Sequence, residues 1–93
     1  MTLDEYRAYI VQKLSVCKNP ALVPDVLAET EVMLAATKVT PLAQERLWQG
    51  IRSDLEVLRQ RSLQLDPDAG ELLRSVIAAA RWGIANYQRL LSK

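Results

Sequence analysis

Residues 61–73, Arg61-Ser62-Leu63-Gln64-Leu65-Asp66-Pro67-Asp68-Ala69-Gly70-Glu71-Leu72-Leu73 (RSLQLDPDAGELL), separate two long apolar seams. Proline has no amide hydrogen and pushes the residue before it out of helical geometry, so a helix arriving from the N-terminal side must stop here. Aspartate followed by proline is equally a good helix start, an N-cap with proline in the first turn. Behind the turn, Trp48, Ile51, Leu55, Leu58 and Leu65, with Ser62 in the gap, recur at heptad spacing, and Arg46, Gln49, Ser53, Glu56 and Gln60 take the opposite side. Ahead of it, Leu73, Ile77, Ala80, Ile84, Tyr87 and Leu91 alternate steps of four and three. Two such seams joined by a short connection pack antiparallel. The stretch predicts a long helical hairpin.

Outward from the hairpin, Thr40-Pro41 is the N-cap and first position of its first helix. Upstream lie two shorter amphipathic patterns. Thr2 with Glu5 forms a capping box, and Leu3, Tyr6, Ile10, Leu14 and Cys17 line one face before Lys18-Asn19-Pro20 ends the helix. Val23, Val26, Leu27, Thr30, Met33, Leu34 and Thr37 form the stripe of the next helix. Helices are thus expected at about 3–18, 24–38, 41–65 and 67–92, in a single domain of residues 1–93. The fold expected is all-α: a small four-helix bundle with two shorter N-terminal helices packed on a long antiparallel C-terminal hairpin. Leu63–Asp68, LQLDPD, resembles the helix-to-helix junction of tetratricopeptide repeats. One period of about 34 residues earlier, Val32-Met33 carries no matching signal. A good stop followed by a good cap explains the stretch without a repeat.

The composition narrows the function more by what it lacks. The chain has no histidine, so a Ser-His-Asp triad and imidazole metal sites are excluded. Its three glycines form no phosphate-cradling cluster. Asp25, Glu29 and Glu31 could serve a small enzyme, but acids at a helix start are favoured on electrostatic grounds alone. No catalytic residue, metal or cofactor is expected. A formal net charge of +1 gives no bulk attraction for nucleic acid or an anionic membrane. One cysteine, Cys17, excludes an internal disulfide and fits a reducing compartment. The first residues carry acids where a secretory leader has bases, and no apolar run, Val76 to Ala80 included, is long enough to cross a bilayer. A cytoplasmic chain is expected.

Folding the two seams about Asp66-Pro67 lets the flanks of the hairpin be read. On one flank lie Leu47, Gly50 and Val57, facing Leu72, Val76, Ala79, Gly83 and Leu90. Glycine within a helix costs about 0.5–1 kcal/mol relative to alanine, so Gly50 and Gly83, which come out level, predict close crossings where the short helices dock. The other flank carries Arg52 and Arg59 one heptad apart, level with Arg81 and Arg74, and has Glu45 and Glu56 at its outer edge. Arginine offers a planar bidentate fork, so this strip suits an acidic protein segment or a phosphate-bearing ligand. It has no interleaved aromatic for base stacking, so nucleic acid is the lesser expectation.

Trp82 falls about 180° from its own seam at 100° per residue, among Ser75, Ala78, Ala79, Ala85 and Asn86. The back of helix two is similarly short of charge, with Val32, Ala35 and Val39 alongside Ala28 and Ala36. Three arrangements would use these faces: helix two laid over the back of helix four, pairing across a two-fold axis, or Trp82 anchoring another protein. The sequence therefore predicts a non-catalytic protein-binding module, an adaptor, inhibitor or secretion-type chaperone acting as a homodimer. A regulator binding nucleic acid or a phosphate ligand through the arginine strip is the alternative, and a small enzyme the second alternative.

Overall fold

The computed structural model describes residues 2–91. Its elements are α1 (Leu3–Ser15), a single 3-10 turn (Pro20–Leu22), α2 (Val23–Ala36), α3 (Pro41–Ser62) and α4 (Pro67–Leu91). They make an all-α four-helix bundle, and no strand occurs among the described residues. α3 and α4 form the antiparallel hairpin. α1 packs mainly on α3 and α2 mainly on α4, and the two short helices also touch. The hairpin sets the long dimension of a body measuring 41 × 25 × 19 Å.

The seams meet as the spacing predicts. Ile10 and Leu14 of α1, Val23 and Leu34 of α2, Trp48, Ile51 and Leu55 of α3, and Val76, Ile77, Ala80 and Ile84 of α4 are sealed in one core. Burial of each large aliphatic chain contributes about 1.5–3 kcal/mol before its ordering entropy is counted. Thr30 is buried as well, with its hydroxyl donating to the Val26 carbonyl at 3.0 Å, and no buried side-chain polar atom is left without a partner among the described residues. The Trp48 and Tyr87 rings stack across the hairpin with centroids 5.0 Å apart.

Helix ends differ from the expected ones, each for a local reason. α1 stops at Ser15, short of the expected Lys18: the Ser15 hydroxyl donates to the Gln12 carbonyl, and the Asn19 side chain accepts from Ala21 N–H to start the 3-10 turn, which the apolar pattern did not reveal. α2 stops at Ala36 because Lys38 takes a left-handed conformation, φ 54°. Lys38 N–H then bonds the Ala35 carbonyl and Val39 N–H the Leu34 carbonyl, the paired bonds of a Schellman ending. α3 stops at Ser62, not Leu65, because Leu63, Gln64 and Leu65 each donate to the carbonyl three residues back. Asp66 then caps α4, accepting from Ala69 N–H at 3.0 Å. Leu65, placed on the seam by its spacing, is exposed, as are Leu63 and Leu72, and Leu65 and Leu72 border only an open recess beside residues 15–18 at the end of α1. The expected end of α4 at Ser92 lies outside the described residues.

Candidate functional site

α4 carries a candidate surface on each side of its exposed ridge. On the α2 side, the missing side chain of Gly83 lets α2 come close: a Cβ there would overlap the Leu27 δ1 methyl. Leu27, only 2% exposed, floors a shallow groove of about 290 Å³. Pro24 forms its α2 wall, and Ala79, Asn86, Tyr87 and Leu90 its α4 wall. Burial pushes the Tyr87 phenol above its ordinary pKa, and the Glu31 carboxylate beside it pushes the same way. Trp82 stands at the rim, 73% exposed.

Of the predicted interface residues, Trp82, Ala79 and Asn86 converge on this groove, with Asn86 accepting a hydrogen bond from the Arg89 guanidinium. Ser75, Ala78 and Ala85 are exposed along the ridge beside it. Val32, 69% exposed, and Ala35 lie on the outer surface of α2 and do not line the groove. Val39 sits beyond the end of α2, half-buried against the core, because the Schellman ending turns it inward. The arrangement in which α2 covers Trp82 is not adopted: α2 docks at Gly83, to one side, and leaves the indole bare. Spacing places Leu27 in the core and Pro24 at a helix start; their second role follows from Gly83, whose level predicts a close crossing.

On the α3 side of the ridge, Gln49, Arg52, Ser53, Glu56, Arg59 and Arg81 line an open cleft of about 570 Å³. Glu56 lies at its centre, not at the outer edge expected from the wheel. Arg59 grips it with Nη2 to Oε1 at 2.7 Å and Nε to both oxygens, and Arg81 reaches Oε2 at 3.5 Å. Arg59 foremost holds the Glu56 carboxyl below the usual carboxylate range, with Arg81 adding to the effect. Arg52 donates to the Gln88 side-chain oxygen at 2.7 Å, and the Gln88 amide nitrogen donates to Glu45 and Gln49. Arg74 leaves the strip and points at the Ser62 hydroxyl, 3.4 Å away. Three guanidinium groups thus line the cleft with one carboxylate, which two of them engage. The pairs are some 40–44% exposed, so they add little to stability.

Arg7 lies over Gly50 and holds Asp54 with two hydrogen bonds, of 2.7 and 2.8 Å, tying α1 to α3; the glycine had signalled a crossing but not its chemistry. Of the three acids considered for catalysis, Glu29 accepts from Lys13 at 3.0 Å, Asp25 is exposed in the first turn of α2, and Glu31 stands by Tyr87. Among the described residues no three His, Cys, Asp or Glu side chains are grouped to hold a metal, and no helix is long and apolar enough to cross a membrane. No protein-family model, curated protein or solved structure matches the chain.

Proposed function

We propose that the chain is a non-catalytic protein-binding module of the adaptor, inhibitor or secretion-chaperone kind, and that it works as a homodimer joined along the outer face of α4. The observation that carries this is Trp82, the largest side chain available, left 73% exposed at the rim of an apolar groove. Ser75, Ala78 and Ala85 along the same ridge are small and uncharged, so a second backbone can approach closely. A two-fold interface needs a projection and a recess on one face, and Trp82 beside the Leu27 groove supplies both. Tryptophan seated in a dry recess is the commonest kind of binding hot spot, with about 2 kcal/mol or more lost on truncation.

Light scattering over a range of concentrations tests it. Twice the chain mass of 10.5 kDa is expected for the native protein, and the single-chain mass for Trp82→Ala with unchanged helicity. A native protein that stays monomeric throughout, with a freely quenchable Trp82, rejects the homodimer.

A further inference from the structure

The cleft between α3 and α4 is a different surface, and its chemistry selects a different ligand. We infer that it is a binding site for an extended acidic peptide segment, whose carboxylates meet Arg52 and the two arginines, Arg59 and Arg81, that now hold Glu56. This rests on the cleft alone and stands whether or not α4 pairs with a second copy.

Glu56 demonstrates the fit. A carboxylate in the middle of the cleft is met by Arg59 side-on, with Nη2 donating to Oε1 and Nε to Oε2, the two-point geometry that guanidinium and carboxylate prefer. The other two cations are less engaged. Arg81 stands 3.5 Å from Glu56 Oε2, and Arg52 donates to the neutral Gln88 amide oxygen. No carboxylate lies within ion-pair distance of Arg52 among the described residues. Three guanidinium groups line the cleft with one carboxylate, Glu56, and that leaves charge for an incoming anion. The same open cleft exposes Gln49 and Ser53, which can bond the backbone amides that an extended peptide presents.

A peptide fits better than a nucleic acid. No aromatic lines the cleft to stack a base. A glutamate or aspartate side chain can instead exchange with Glu56 one for one. Because Glu56 competes for the same guanidinium groups, removing its charge strengthens binding. A cleft made only of solvated ion pairs has no such response.

The experiment titrates the full chain with an oligoglutamate peptide, an isosteric oligoglutamine peptide and a single-stranded oligothymidylate, following the arginine Nε–Hε resonances. The expected result is saturable shifts at Arg52, Arg59 and Arg81 with oligoglutamate only, weakening as salt rises. Glu56→Gln should tighten binding by up to about five-fold, the upper range for an exposed ion pair. Arg52→Gln with Arg81→Gln should weaken it by at least about ten-fold, two charge-assisted contacts being lost. All three sites are partly exposed, so the variants are expected to remain folded, which circular dichroism verifies. Trp82→Ala should leave the titration unchanged. The inference is overturned if oligoglutamate moves none of these resonances even in Glu56→Gln, if its affinity ignores the arginine substitutions, or if oligothymidylate binds more tightly.

Discussion

Each of the three glycines faces a different neighbour, and that neighbour sets the effect of adding one methyl group. At Gly50 a Cβ would come within 2.7–2.9 Å of the Arg7 guanidinium, the far end of a flexible chain that can swing aside. The Arg7–Asp54 pair it disturbs is about a third exposed, so its loss is worth at most about 1 kcal/mol, offset by the better helix propensity of alanine. At Gly83 the obstacle is a methyl of the sealed Leu27, which can move only by disturbing the core. At Gly70 it is the Ser62 backbone carbonyl, 2.7 Å away, which the α3 ending holds in place. Chemical denaturation should therefore find Gly50→Ala within about 0.5 kcal/mol of the native protein, Gly83→Ala destabilised by about 1–2, and Gly70→Ala by about 2–3, within the range for overpacked sites. Equal losses at all three, or the reverse order, would show that helix propensity and not the neighbour decides.

At the scale of the helix, existence and face were legible because burial enforces a period of 3.6 over many residues, and no single side chain can overrule it. Ends were less legible because they are decided by a few hydrogen bonds that several residues can supply. The N-termini were the easier half: Thr2, Thr40 and Asp66 all cap as their residue type and following acid or proline suggest. The C-termini of α1, α2 and α3 each fell two or three residues early, and none of these endings uses glycine, the one residue that marks a Schellman stop in sequence. Lys38 occupies that left-handed position with a side chain, at a cost of about 1–2 kcal/mol. Lys38→Gly removes the strain but gives the unfolded chain more freedom. The net expectation is a gain of about 0.5–1 kcal/mol in the free energy of unfolding measured by chemical denaturation, with both bonds of the ending intact. A loss of stability on this substitution would mean that the Lys38 side chain makes a contribution larger than its backbone strain.

Over the whole molecule, the positions of Trp82 and the arginines around α4 were legible because a helical wheel fixes direction. What they meet was not, because it depends on where other helices land. Glu56 appeared peripheral on α3 alone and became central once Arg81 arrived from α4. Val32 and Trp82 shared an apolar character in sequence, but α2 docks through Leu27 and does not carry Val32 into the groove. The same docking leaves the bundle unevenly protected along its length. Its middle is sealed from Leu47 to Leu55 on α3 and from Val76 to Ile84 on α4, with α1 and α2 both present at that level. The tip has Leu63, Leu65 and Leu72 exposed and is closed by three-residue hydrogen bonds. Amides can exchange through local opening only where little apolar surface is broken open with them. Native-state hydrogen exchange should thus show the amides of Ile51, Leu55, Ala80 and Ile84 opening only with global unfolding, whereas those of Leu63, Gln64 and Leu65 exchange through openings costing a small fraction of it. Denaturant should accelerate the first group steeply and the second hardly at all, since m follows the area exposed. Equal denaturant dependence in both groups would require the hairpin tip to be part of the cooperative core, and that would mean an apolar cover over Leu63 and Leu65 in solution.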